Sequence, residues 1–140
     1  MSALARYFLS QDYIICGYDR TRSKLTDALT EEGCIITYED SIDSLPVLFS
    51  EPSGNDRVLI VYTPAIPGES ILLNFFRNNG YTIYKRAEIL GVISGETDAI
   101  AVAGTHGKTT VSTMTAHLLS SSPVGCSAFL GGISVNYNTN

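Results

Sequence analysis

The sequence predicts an α/β protein with a parallel sheet covered by helices, and two observations support this fold class. Short apolar runs rich in Val, Ile and Tyr alternate along the 140 residues with stretches of helical periodicity, which is the pattern of strands connected by helices. The helical stretches also carry end signals at the expected places. Strands are predicted at 13–18, 34–38, 58–63, 81–85, 99–104 and 127–132.

The segments between these strands have the capping residues and terminators of helices. Residues 23–33 begin with Ser23, a common N-cap, and end at Gly33, which readily takes the left-handed conformation that follows a helix. Residues 68–80 show the same pattern of a helical segment that ends at a glycine, here Gly80. Further helices are predicted at 1–10, at 86–94 and from Lys108 onward, and a loop at 49–57.

Composition excludes several classes of function. The formal net charge is -5 and the basic residues form no cluster, so nucleic acid is not an expected partner. The three cysteines are odd in number and show no metal-binding spacing, which is typical of a reducing compartment. No apolar run approaches the roughly 20 residues that a membrane span needs. We therefore expect a soluble, cytoplasmic protein.

The order of the first elements is unusual for a doubly wound, Rossmann-like fold. In such a fold the first strand is central and a glycine-rich turn precedes the first helix, whereas this sequence starts on the helix at 1–10. Either that first strand is missing, or a helix simply comes first; spacing alone favours neither. If a strand is missing between 13–18 and 58–63, the sheet must close the gap, take a strand from another chain, or stay open. Exposed sheet edges would then predict a homodimer.

The stretch "AVAGTHGKTT", residues 101–110, predicts a phosphate-binding loop. It lies between a predicted strand and a predicted helix, the order that a P-loop requires. The strict G-x-x-x-x-G-K-[ST] motif fails, since Val102 stands where its first glycine belongs. The alternative is a Gly/Thr-rich turn that binds nothing. The predicted phosphate-binding residues are Gly104, Thr105, His106, Gly107, Lys108, Thr109 and Thr110, with Lys108 catalytic and the Thr109 hydroxyl on Mg²⁺.

These residues resemble the G-T-[NH]-G-K-[TS]-[TS] loop of the Mur ligase family, and the His106 form is similar to its alanine-adding branch. Five further segments match that branch in order and spacing. They are "MSALARYF" at the start, "GYDR" (17–20), "VYTPAIP" (61–67), "RAEIL" (86–90) and "AFLGG" (128–132).

The resemblance implies two domains. Residues 1–95 would be the UDP-sugar-binding Rossmann-like domain, lacking its first strand and glycine-rich turn. Residues 96–140 would be the start of the central ATPase domain, with its strand, P-loop and helix. Implied contacts to the UDP-sugar are Asp19, Thr63, Ala65 and Ile66.

Two of these residue assignments have competing interpretations. Asp19 is as readily a surface turn residue as a nucleotide contact. Arg86 could pair with an anionic ligand, but a simple position at a helix start is favoured.

The function that the resemblance implies is ATP-dependent ligation. The family's enzyme uses ATP and Mg²⁺ to convert the carboxylate of UDP-N-acetylmuramate into an acyl phosphate, from which the amine of L-alanine displaces phosphate, a step in peptidoglycan precursor synthesis. The chain alone is expected not to ligate, because the amino-acid domain of the family is not in it. The alternatives are a murein tripeptide ligase of cell-wall recycling and a non-catalytic nucleotide-binding module.

Overall fold

The computed structural model describes residues 1–50, 57–132 and 134. The predicted loop at 49–57 therefore falls mostly outside the described residues. The described elements are helices α1 (Ser2–Leu9), α2 (Lys24–Glu31), α3 (Val47–Ser50), α4 (Ile71–Asn78), α5 (Arg86–Gly95) and α6 (Lys108–Ser120), strands β1 (Cys16–Tyr18), β2 (Ile35–Thr37), β3 (Leu59–Tyr62) and β4 (Thr82–Lys85), and a 3₁₀ turn at Ile42–Ser44.

The chain divides into two compact units. One comprises residues 14–98 and contains all four strands; the other comprises residues 1–13 together with 99–140. The first helix, α1, thus belongs to the same unit as the predicted phosphate loop.

Four of the six predicted strands form, and all four are shorter than predicted. The predicted strands at 99–104 and 127–132 are wrong for this structure, because neither segment pairs with another strand among the described residues. Their β-prone side chains favour an extended backbone, but a strand exists only through hydrogen bonds to a neighbour.

The strands form two separate parallel pairs instead of one sheet. In the first pair Cys16 lies opposite Ile35, and in the second Tyr62 lies opposite Lys85. No ladder joins β1 to β3 in the part of the chain that the structure describes. Among the described strands, β1 pairs only with β2 and β3 pairs only with β4.

The helix-end signals of the sequence are confirmed. The Ser23 hydroxyl accepts a hydrogen bond from the Thr26 amide at 3.2 Å, and the Thr26 hydroxyl accepts one from the Ser23 amide at 2.9 Å, which is a reciprocal capping arrangement. Gly33 and Gly80 have φ angles of +105° and +74°. Both follow a helix in the left-handed region that glycine enters without steric cost.

The core of the 14–98 unit forms between α4 and its neighbouring strands. Leu72, Phe76 and Tyr81 are its buried centre, and the rings of Phe76 and Tyr81 meet edge to face at 5.0 Å between centroids, a favourable geometry for aromatic pairs. The partly buried side chains that pack around this centre come from both strand pairs, from α4 and from the connecting segments: Tyr18, Leu45, Val58, Ile60, Phe75 and Ile83.

Asp40 fixes the start of α4. Its carboxylate accepts hydrogen bonds from the Ser70 hydroxyl at 3.1 Å, the Ile71 amide at 3.1 Å and the Leu72 amide at 2.9 Å. An anionic side chain at a helix N-terminus satisfies amides that have no acceptor within the helix and lies at the positive end of the helix dipole. Asp40 therefore ties the chain that follows β2 to the helix that covers the core.

The three cysteines differ in their exposure to solvent. The three cysteines, all within the described residues, form no disulfide; Cys34 is buried and Cys126 is exposed. Burial raises the pKa of the half-buried Cys16 thiol. Among the described helices, none is both long and apolar enough to cross a membrane.

We expect Asp40→Ala to lower the free energy of unfolding of the 14–98 unit by about 0.5–2 kcal/mol, the range for loss of a side chain that caps a helix start. Urea denaturation followed by circular dichroism measures this change. Asp43→Ala is the matched control, because it removes the same charge from an exposed position nearby. Equal stability of the two variants would contradict the role given to Asp40.

Candidate phosphate loop and sheet-edge site

The predicted phosphate loop ends in a left-handed glycine from which α6 begins. Gly107 has φ +74°, and Lys108 is the first residue of the 13-residue helix. Gly107 provides no side-chain cap, whereas α2 and α4 are capped by Ser23 and Ser70. The first amides of α6 lack acceptors within the helix, so they are available to an external anion.

Lys108 folds back over this loop. Its ammonium donates hydrogen bonds to the carbonyl oxygen of Gly104 and, at 3.2 Å, to that of Thr105. The cation is thus held beside the uncapped helix start by neutral acceptors. Because charge-assisted bonds to phosphate are stronger than bonds to carbonyls, a phosphate group can replace these two partners.

Thr109 lies next to the two glycines of the "AFLGG" segment. A Cβ built on Gly131 would lie 3.5 Å from the Thr109 hydroxyl oxygen, and one built on Gly132 would lie 3.7 Å from its methyl carbon. The structure thereby brings together two segments that the sequence analysis treated separately. A Cβ at either glycine would therefore be in ordinary van der Waals contact with the Thr109 side chain.

The Thr109 hydroxyl suits a Mg²⁺ ion whose other ligands come mainly from a nucleotide. Within the described ranges, no group of three or more His, Cys, Asp or Glu side chains could hold a metal ion. Mg²⁺ is commonly bound by one or two protein oxygens together with phosphate oxygens and water, so the exposed Thr109 hydroxyl is a suitable single ligand. The other loop side chains, His106 and Thr110, are also exposed to solvent.

The predicted UDP-sugar residues lie at the carboxyl ends of two strands in the other unit. Asp19 follows β1, and its carboxylate accepts the Thr21 amide at 3.0 Å, a local turn bond of the kind that aspartate often makes. Thr63 follows β3, and its carbonyl accepts the Ile66 amide at 3.1 Å. Ala65 lies exposed inside that turn.

The structure does not join these two positions into one sheet edge. β1 and β3 belong to different strand pairs within the described residues, whereas the sequence predicted one parallel sheet. Each pair retains its own carboxyl edge, and ligands of open α/β sheets bind at such edges.

Sequence reasoning missed Asp40. The carboxylate lies three residues after β2 and contacts residues 30 to 32 positions further along the chain. No local pattern signals a contact across that separation.

Comparison with known proteins identifies the family. The sequence profile described as "Mur ligase family, catalytic domain" matches residues 1–97. The chain belongs to the Mur ligase family. The match ends beside residue 98, the last residue of the 14–98 unit.

Three relatives extend this Mur ligase match over all 140 residues. Proteins named UDP-N-acetylmuramate–L-alanine ligase are 53% identical in Cytophaga hutchinsonii, 54% in Phocaeicola vulgatus and 52% in Porphyromonas gingivalis. The chain covers 29% of the first relative and 30% of the other two. It therefore spans about 30% of the length of these Mur ligase relatives, and its similarity to them includes the phosphate loop.

Gly107→Ala tests the loop conformation of this Mur ligase chain. We expect it to lower the free energy of unfolding by about 1–2 kcal/mol, the cost of a left-handed residue that carries a Cβ. No atom lies within 4 Å of the added Cβ, so the cost comes from the backbone alone. Urea denaturation measures it.

The matched control is Gly91→Ala, inside α5, where the added Cβ also meets nothing within 4 Å and φ is not positive. Alanine should stabilise that position by roughly 0.5–1 kcal/mol, because it restricts the unfolded chain and suits a helix. A stabilising effect of the same size at Gly107 would argue against the left-handed turn.

Proposed function

We propose that this chain carries the UDP-sugar-binding part and the ATP loop of an enzyme that joins L-alanine to UDP-N-acetylmuramate in peptidoglycan precursor synthesis. The identity of 53% over all 140 residues with a relative of that name is the observation that carries the proposal. The relatives reported above favour it over a murein tripeptide ligase and over a non-catalytic nucleotide-binding module. The proposal includes ATP and Mg²⁺ as well as the two substrates that are joined, L-alanine and UDP-N-acetylmuramate.

The proposed reaction activates a carboxylate with ATP. A carboxylate is a poor electrophile, so one of its oxygens attacks the γ-phosphorus, ADP leaves, and an acyl phosphate forms. The amine of L-alanine then attacks the acyl carbon, the amide bond forms, and inorganic phosphate leaves with the former carboxylate oxygen. Bound Mg²⁺ would offset negative charge on the phosphates in this chemistry.

Lys108 and the start of α6 supply the protein's part in the first step. The Lys108 ammonium would leave the carbonyls of Gly104 and Thr105 to bind phosphate oxygens, and the uncapped amides of α6 would bind others. Both groups stabilise the negative charge on the phosphoryl group as it is transferred. The loop residues from Gly104 to Thr110 form the proposed ATP site, with Thr109 as the Mg²⁺ ligand.

The roles that we propose for the two segments of the chain follow the predicted domains. Residues 1–95 bind the UDP-sugar, and residues 96–140 begin the ATP-binding domain. Asp19, Thr63, Ala65 and Ile66 are the proposed UDP-sugar contacts; their places after β1 and β3 support this assignment.

Calorimetric titration with Mg-ATP and, separately, with UDP-N-acetylmuramate tests the proposal. We expect the chain to bind both ligands, and we expect Lys108→Ala to weaken Mg-ATP at least about tenfold, since one charge-assisted contact is worth about that much. UDP-N-acetylmuramate binding should not change in this variant.

Lys24→Ala is the control for this experiment, because Lys24 is exposed on α2 and its loss changes the net charge equally. Its affinity for Mg-ATP should equal that of the unmodified chain. Equal binding by the Lys108 and Lys24 variants would refute the ATP assignment, and failure to bind either ligand would refute the proposed function for this chain.

We also propose that the chain associates with a second copy through its open strand edges. β1 and β3 each have one hydrogen-bonded neighbour among the described strands, and an unpaired strand edge is a template for another chain. Light scattering across a range of protein concentrations should therefore give a mass that rises towards a dimer. A constant monomer mass at every concentration would contradict this proposal.

A further inference from the structure

The side chain of Arg86 contains a polar atom without a partner. Its Nε is shielded from solvent and has no hydrogen-bond acceptor among the described residues. Buried donors are paired in the great majority of cases, and an unpaired donor on a charged group is costly. Arg22, by comparison, directs its Nε to Asp27 at 2.7 Å. The unpaired Nε of Arg86 therefore requires an explanation.

Strand register places Arg86 beside the proposed UDP-sugar site. Tyr62 of β3 lies opposite Lys85 of β4 in the parallel ladder, so the next residues, Thr63 and Arg86, follow neighbouring strands at the same carboxyl edge. Neighbouring strands lie about 4.8 Å apart. An arginine side chain that starts there is within reach of a ligand bound at Thr63.

Two carboxylates of the 14–98 unit have other partners. Glu88, two residues after Arg86 in α5, accepts the Lys85 amide at 2.7 Å. Asp40 accepts three hydrogen bonds at the start of α4. Neither acid neutralises Arg86, which leaves a partly buried cation at a sheet edge where ligands bind.

We propose that Arg86 binds an anionic oxygen of the UDP-sugar, an inference that rests on the proposed function. The planar guanidinium presents several donors to a phosphate or a carboxylate, and charge-assisted bonds of this kind are among the strongest in proteins. UDP-N-acetylmuramate offers two sources of such oxygens, its diphosphate and its carboxylate. In either case the ligand supplies an anionic partner for the guanidinium group.

The test compares Arg86→Gln with Lys85→Gln in calorimetric titrations of the 140-residue chain. Both changes remove one positive charge from adjacent positions, but Lys85 is exposed. We expect Arg86→Gln to weaken UDP-N-acetylmuramate about tenfold or more and Lys85→Gln to leave its affinity within about twofold. Arg86→Lys should recover only part of the loss, because lysine restores the charge without the planar donor geometry.

Three further ligands identify the oxygen and separate binding from a structural role. A loss with UDP and UDP-N-acetylglucosamine as well assigns Arg86 to the diphosphate, whereas a loss with UDP-N-acetylmuramate alone assigns it to the carboxylate. Uridine, which has neither anion, should bind the Arg86→Gln variant and the unmodified chain equally. A loss that extends to uridine would overturn the proposal in favour of a role in folding.

The remaining outcomes distinguish the two proposals from each other. Binding of UDP-N-acetylmuramate by the unmodified chain with equal affinity in Arg86→Gln would overturn the role of Arg86 alone. Absence of binding of any UDP compound by the unmodified chain would overturn the proposed function, and the Arg86 inference with it.

Discussion

The contact between Asp40 and the start of α4 is the one on which the 14–98 unit depends. The two strand pairs of this unit share no ladder within the described residues, so backbone hydrogen bonds do not link them. Asp40 comes from the chain after β2 and bonds to Ser70, Ile71 and Leu72. Together with the packing of Tyr18 on the core around Leu72, this side chain provides the link that a continuous sheet would otherwise give.

The starts of α2 and α4 differ from the start of α6, which is proposed to bind phosphate. The starts of α2 and α4 are satisfied internally, by Ser23 and by Ser70 with Asp40. The start of α6 follows Gly107, which has no side chain to cap it. An uncapped helix start with a lysine beside it attracts anions. The residue before α2 and α4 therefore satisfies the helix start by a side chain, whereas the residue before α6 does not.

The parallel register determines which residues lie together at the carboxyl ends of β3 and β4. In a parallel pair, residues that leave neighbouring strands lie at one edge, which is why Thr63 and Arg86 follow neighbouring strand ends although Arg86 is 23 positions further along the chain. A one-residue slip would turn each side chain to the opposite face. The Tyr62–Lys85 pairing thus sets which polar groups can meet a ligand at this edge.

The sequence by itself determined the features that depend on local backbone conformation. Ser23 as an N-cap, Gly33 and Gly80 as terminators and the start of α6 at Lys108 were all predictable, because each follows from the φ and ψ angles or hydrogen bonds of a few adjacent residues. Family resemblance added the prediction that residues 104–110 bind ATP. Within the described part of the chain, tertiary structure alone decided that residues 99–104 and 127–132 form no strand and that the sheet is divided. It also decided that Asp40 caps α4 and that the Nε of Arg86 lacks an acceptor among the described residues. Those outcomes depend on contacts with residues distant in the sequence, and a local sequence pattern does not indicate which contacts form.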